Sequence, residues 1–240
     1  MKRSTINILI REAEIFFQEQ SFPLPAFSKF TSDDWGSLAP YTSCKEIIDC
    51  GLGWDITDFG SNDFSHRGLL LFTLRNGLAN HPQYAKSYAE KIMMVREEQY
   101  TPMHFHWKKS EDIINRGGGN LLFNCYASDE DESLAQRAFT LSIDGIKRDI
   151  SPGELIRLHP GESLTLTPGI YHTFYAEKGS GTVLAGEVSS VNDDMSDNRF
   201  EPPCGRFPSI EEDVEPYRLL VSDYHTFFAP FRHGHTAKGA

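Results

Sequence analysis

The segment His104-Phe105-His106-Trp107-Lys108-Lys109-Ser110-Glu111 places two imidazoles and a carboxylate close together in the chain. In an extended strand, side chains at i and i+2 share a face. His104 and His106 can therefore aim at one point, and a local bend would return Glu111 to it. His172 follows the turn pair Pro168-Gly169 and is a fourth candidate, on a later strand. Imidazole and carboxylate together suit Mn, Fe, Zn, Co or Ni. Four protein ligands on an octahedral ion leave two positions for oxygens of a substrate or water. A bare H-x-H has a plainer reading, two strand histidines with satisfied rings.

Such ligands need strands to hold them, and the pattern supplies strands. NLLFNCYAS, AFTLSIDG, GELIRLHPG, SLTLTPG, YHTFYAEKG and TVLAGEVSSV are short and rich in strand formers, with Gly, Pro, Asp or Ser between them. That rhythm belongs to an all-β sandwich or barrel. Before it, residues 4–20 read as an amphipathic helix, with Ile6, Leu9, Ile10, Ala13, Phe16 and Phe17 at helical spacing and Ser4 or Thr5 as cap. TSDDW predicts a cap and short helix, and WDITDFG and GLLLFTLRNG are short segments with turn signals. Ser209 to Glu212 form a capping-box pattern that predicts a short C-terminal helix, limited by Pro216. The expected organisation is a single domain over 1–240: a helical and mixed layer over 1–90, a barrel core over 91–224 and a loosely ordered tail over 225–240.

Composition narrows the functional classes. With 240 residues, 39% hydrophobic and 24% charged, the chain can bury a proper core. A net charge of -11 disfavours nucleic acid and anionic membranes as partners. There is no transmembrane run and no secretory pattern, since Arg11, Glu12 and Glu14 interrupt the first apolar stretch. Cys44, Cys50, Cys125 and Cys204 form no C-x-x-C pair and read as reduced thiols of a cytoplasmic protein. Gly117, Gly118 and Gly119 lack the Lys-Ser/Thr of a phosphate loop. His66, His81, His159, His225, His233 and His235 lack metal spacing with the four candidates.

The span His104 to Gly118 reads H-x-H-x4-E-x6-G, and Gly161 to His172 reads G-x6-P-G-x2-H. They resemble the first and second motifs of the cupins, whose β-barrel is a double-stranded β-helix or jelly roll. Ala176 stands where many cupins have Asn. In cupins the residues matching His104, His106, Glu111 and His172 are the metal ligands. MHFHWKKSEDIINRGGGNL, LTPGIYHTFYAE and GEVSSVNDDMSDN further resemble the bacterial D-lyxose isomerase family, from about Glu90 to Tyr224. The resemblance implies a metal-dependent aldose–ketose isomerase with one divalent cation, Mn²⁺, acting on a free pentose or hexose: D-lyxose to D-xylulose, and D-mannose to D-fructose.

That chemistry moves a proton between C1 and C2 and needs a base and positive charge beside the developing enediolate. Glu187 is the first candidate base, since alternation along its strand turns it inward if Leu184 points outward. Lys109 is a second candidate, able to hydrogen-bond a substrate hydroxyl or donate a proton, and one of Lys108 and Lys109 is expected to face solvent. Asp193 and Asp194 are candidate sugar contacts, whereas alternation assigns Phe105 and Trp107 to packing. Other readings are a different cupin enzyme (a dioxygenase or epimerase), a phosphosugar isomerase using Lys108, Lys109, Arg116, Arg148 and Arg157, or a sugar-binding cupin without catalysis. A homodimer is expected for a cupin of this size.

Overall fold

Alternating burial along short strands sorts the chain into two antiparallel layers. The structure, a computed structural model, describes residues 1–38, 44–79 and 81–232. It opens with α1 (Arg3–Glu19), a 3-10 turn at Ala26–Lys29, α2 (Ser32–Ser37) and α3 (Lys45–Asp49). Three strands follow: β1 (Gly53–Thr57), β2 (Leu69–Arg75) and β3 (Tyr88–Val95). The first ligand motif lies on β4 (His104–Phe105) and β5 (Glu111–Gly118). Then come β6 (Leu121–Ala127), β7 (Phe139–Ile143), β8 (Ile146–Ile150), β9 (Leu155–Leu158) and β10 (Ser163–Leu166). The last elements are β11 (Ile170–Ala176), β12 (Val183–Ser190), β13 (Arg199–Phe200) and α4 (Tyr224–Arg232).

The larger sheet runs β1-β2-β3-β12-β5-β10-β7-β8, and the smaller runs β13-β4-β11-β6-β9. Between them lies an apolar core of Met93, Val95, Ile113, Leu164 and Val183 from the larger sheet and Phe123, Leu158 and Phe174 from the smaller. This is the mainly β, cupin-type architecture expected. The segments WDITDFG and GLLLFTLRNG become β1 and β2, which extend the larger sheet. The polar strand β8 escaped the hydrophobic pattern because Ile146, Lys147, Arg148 and Asp149 are all exposed.

The outer face of the larger sheet is covered by α1. Ile6, Leu9, Ile10, Ala13 and Phe17 pack on Ile56, Phe72, Ile92, Met94 and Leu184. This two-sided burial explains why β3 reads as a continuous apolar run: Met93 and Val95 face the barrel, Ile92 and Met94 the helix. Neither Ser4 nor Thr5 caps α1. The cap residue is Lys2 without a side-chain bond, and Asp213 instead accepts from the Ser4 amide (2.9 Å) and hydroxyl (2.7 Å). A carboxylate there also suits the helix dipole. The capping-box pattern at Ser209–Glu212 starts no helix. The Ser209 carbonyl accepts from the N-terminal ammonium, and Glu212 is drawn to Arg3 at 2.7 and 2.8 Å. The C-terminal helix is α4, where a tail was expected from residue 225; its Tyr224 and Phe228 pack on Trp35. Residues 233–240, with the second H-x-H, lie outside the described residues.

The glycine run has a packing reason. Gly118 has φ +84°, and a Cβ there would sit 2.1 Å from the Thr182 carbonyl oxygen; at Gly119 it would sit 2.4 Å from that of Gly181. The run lets β5 pass beside β12, where the register shifts between Leu184 and Ala185.

Arg3 joins the two ends of the chain, its buried guanidinium bonded to Glu212 and to Asp223 (2.8 and 3.1 Å). Its partners keep access to water, Glu212 57% and Asp223 18% exposed, so what is lost with Arg3 is the hydrogen bonding rather than the pairing of a buried charge. Arg3→Met is therefore expected to destabilise the fold by about 1.5 kcal/mol, read as a lower midpoint in urea.

Candidate functional site

The ligand candidates meet where the two sheets open at one end of the barrel. His104 on β4 and His172 on β11 are direct cross-strand partners on the smaller sheet. Glu111 heads β5 on the larger sheet opposite, paired with Leu166 and Ser189. His106 follows β4 in the connecting loop. The imidazole nitrogens of His104, His106 and His172 come within 4.8 Å of one another. Glu111 Oε1 lies 3.3 Å from His106 Nε2 and 3.3 Å from His172 Nε2.

The hydrogen bonds behind the rings decide what these nitrogens are. His104 Nδ1 faces the Pro102 carbonyl at 2.8 Å, His106 Nδ1 that of Asp197 at 2.6 Å, and His172 Nδ1 that of Ile170 at 3.1 Å. A carbonyl only accepts, so each Nδ1 carries the proton. That leaves Nε2 as the ligating atom of each ring, and those of His106 and His172 face Glu111 Oε1. Burial first, then the neighbouring histidines, hold His104 well below its ordinary pKa; burial brings His172 down to about 4. At neutral pH both are uncharged, so the 3.3 Å contact of His172 with Glu111 is no ion pair. Burial alone would push the Glu111 carboxyl up, but the Lys109 ammonium outweighs it and keeps the group ionised. His106 Nε2 and Glu111 Oε1 are buried without hydrogen-bond partners. Acceptor atoms converging with no donor among them repel one another unless a cation lies between. The donor set fits a divalent transition metal ion.

Beside this cluster the charges alternate. Lys109 Nζ donates to Glu111 Oε2 (2.7 Å), Glu187 Oε1 (3.0 Å) and Asn192 Oδ1 (3.4 Å). Lys91 Nζ lies 2.7 Å from Asn192 Oδ1, 3.5 Å from Glu187 Oε1 and 3.6 Å from Asp194 Oδ1. Arg206 Nη2 reaches Asp55 at 2.6 Å and Asp194 at 3.6 Å. Burial opposes ionisation of Glu187, but Lys109 and Lys91 overcome it and its pKa falls below the ordinary value. Burial likewise opposes charge on Lys109, yet Glu111 and Glu187 raise its pKa and keep it an ammonium. Asp194 is held far below the usual carboxylate range, with Lys91 and Arg206 outweighing burial.

The structure thus gathers His104, His106, Glu111, His172, Lys109, Glu187 and Asp194 around one cavity. That cavity holds about 470 Å³ of space between atoms, open solvent at its mouth included. Leu184 does face α1 and Glu187 the interior. Lys108 is exposed and Lys109 buried. Asp193 is placed elsewhere: it is exposed, and its carboxylate holds its own turn by accepting from the amides of Met195 and Ser196 and the Ser196 hydroxyl. Phe105 is buried against Tyr171, while Trp107 lies at the surface, bonded to Glu132. His159 bonds Asn120 outside the cavity.

Lys91, Asn192, Asp197 and Arg206 were not singled out from the sequence. Lys91 is directly opposite Glu187 in the sheet and in phase with Met93 and Val95. Because the other face of β3 is equally apolar, the phase was hidden. Asp197 and Arg206 sit in irregular backbone, where no periodicity marks a buried charge.

The histidines make the metal-free fold sensitive to acid. Between pH 6.5 and about 4, the unfolded chain takes up a proton at His172 that the folded chain refuses. Stability therefore falls as pH falls through that window. Thermal melts of metal-free protein should show this slope, and His172→Gln should flatten it. An unchanged slope would place the proton uptake elsewhere.

Residues 1–224 match the model of the D-lyxose isomerase family. The chain is 50% identical to the D-lyxose/D-mannose isomerase of Serratia proteamaculans over 231 residues, covering 95% of this chain and all of that protein. It is 49% identical to the D-lyxose/D-mannose isomerase of Escherichia coli O157:H7, with the same coverage. Among solved structures it resembles the L-ribose isomerases of Geodermatophilus obscurus (TM-score 0.58, 15% identity) and Cellulomonas parahominis with L-ribose (TM-score 0.57, 14% identity). Each likeness covers 88% of this chain and 98% of the other, and at this identity it concerns the fold. No helix of the described residues is long and apolar enough to cross a membrane. Motifs, fold and relatives agree, and the chain belongs to the D-lyxose isomerase family.

Proposed function

We propose that the protein interconverts D-lyxose with D-xylulose and D-mannose with D-fructose, using one divalent cation, Mn²⁺, held by His104, His106, Glu111 and His172. The observation that carries this reading is the convergence of three imidazoles and the Glu111 carboxylate beside an ionised, buried Glu187 in one cavity. The names of the relatives supply the substrates. A divalent cation in that cluster supplies Lewis-acid polarisation of a sugar carbonyl. Glu187 is the base. Lys109, Lys91 and Ser189 all contact its Oε1, which leaves Oε2 to take the proton from C2 of the open-chain aldose and return it to C1. Lys109 stays charged, orients Glu187 and Glu111 together, and places positive potential beside the developing enediolate.

A neutral sugar suits the charge pattern. Lys91, Lys109 and Arg206, the cationic side chains lining the cavity among the described residues, are each already beside carboxylates. Of the residues considered for a phosphate pocket, Lys108, Arg116 and Arg148 are exposed and line no part of it, and Arg157 bonds Glu177 outside. Arg206 Nη1 is buried without a partner, a donor left for a hydroxyl at the far end of the sugar.

Metal-stripped protein is expected to form little ketose from D-lyxose or D-mannose, and Mn²⁺ to restore turnover. Glu187→Gln should lower kcat by about 10²–10⁴ with metal content unchanged; near-normal turnover would rule out Glu187 as the base. Arg206→Lys should raise KM roughly tenfold, as one charged hydrogen bond is lost, with kcat nearly unchanged.

A further inference from the structure

The stretch from Asn192 to Phe200 touches both the metal-ligand cluster and the sugar-facing cavity, and Asp197 joins the two. Its side chain is buried, only 6% of the residue being exposed. Its carboxylate accepts from the backbone amides of Lys108 (3.0 Å) and Lys109 (2.9 Å), while its own carbonyl accepts from His106 Nδ1 at 2.6 Å. One residue therefore fixes the turn after the H-x-H motif, sets the tautomer of a ligand and positions the lysine that bridges Glu111 and Glu187. A few residues on, β13 pairs with β4, placing Phe200 opposite His104 with ring centroids 5.5 Å apart. The same stretch presents Asp194, Asn198 and Phe200 to the cavity. At its start, Asn192 is held by Asn76 and accepts from Lys91 and Lys109.

We infer that Asp197 is a positioning residue that couples cation binding at the histidine cluster to the order of the sugar-facing segment 192–200. Aligning His106 Nε2 on a cation requires its Nδ1–H to stay on the Asp197 carbonyl. The carboxylate's grip on the Lys108 and Lys109 amides fixes that carbonyl relative to the loop that carries His106. Cation binding thus tightens the segment that carries Asp194, and disorder of the segment loosens the cation. The link is reciprocal because both effects draw on one coupling free energy. Backbone carbonyls behind ligating histidines act in this way, and losing such support weakens metal affinity by roughly 10–100-fold.

This inference rests on the metal reading, and the test separates the two. Mn²⁺ alone is titrated into full-length metal-free protein, and backbone amide exchange is followed with and without Mn²⁺. Wild type is expected to bind Mn²⁺ and to show slower exchange at Lys108, Lys109 and across 192–200 when it does. Asp197→Ala should bind Mn²⁺ at least about tenfold more weakly and lose the metal-induced protection of 192–200. Asp197→Asn, which keeps one acceptor oxygen, should fall between. Wild type that binds Mn²⁺ with no change in segment exchange overturns the coupling while leaving the metal reading intact, and needs no variant to fold. So does a folded Asp197→Ala protein whose Mn²⁺ affinity stays within twofold of wild type. Wild type that binds no divalent cation overturns the metal reading and the coupling with it.

Discussion

The arrangement at the barrel mouth depends on one electrostatic constraint. Three buried imidazoles, each with its Nδ1–H on a backbone carbonyl, and a carboxylate oxygen are forced together. No single element could impose this. The backbone carbonyls behind the rings fix which nitrogen faces the cluster, β4 and β11 bring two tilted rings to 4.1 Å between centroids, and the larger sheet delivers Glu111 from the opposite side. Left to itself such a cluster is repulsive, and the strain is tolerable because the two sheets are tied by a continuous apolar core beneath it.

Lys109 solves the companion problem. Glu111 and Glu187 are two buried carboxylates whose charges oppose each other, and a single ammonium lies within 3.0 Å of both. Lys91 adds a second positive charge on the far side of Glu187. The result is a buried carboxylate that remains ionised, with Lys109, Lys91 and Ser189 all on one of its oxygens. Alternation of sign along Glu111, Lys109, Glu187, Lys91, Asp194, Arg206 and Asp55 gives every buried charge an opposite neighbour that offsets part of its desolvation.

How much of this was legible in the sequence depended on whether a residue sat on a periodic element. His104, His106 and Glu111 could be grouped because they lie close together in the chain, and His172 joined them through the resemblance of its motif to the second cupin motif; the fold places all four together. Glu187 was found because Leu184 beside it has one clear face. Lys91 escaped because β3 is buried on both sides, so alternation carries no phase. Asp193 and Asp194 looked equivalent in a polar loop. Only the turn that Asp193 closes with its own carboxylate turns Asp194 inward. The capping-box pattern at Ser209 misled for a related reason: Glu212 was taken by Arg3, two hundred residues away in sequence, a partner no local pattern can show.

The placement of the ligands also has a kinetic consequence. His104 and His172 become neighbours only when β4 and β11 pair, and Glu111 faces them only when the second sheet has closed over the first. These are contacts between distant parts of the chain, which form late because loop closure must precede them. The four-donor cluster is therefore complete only when both sheets have formed, although His104, His106 and Glu111 are neighbours in the chain from the start. The barrel must be built by its apolar core before His172 can join them.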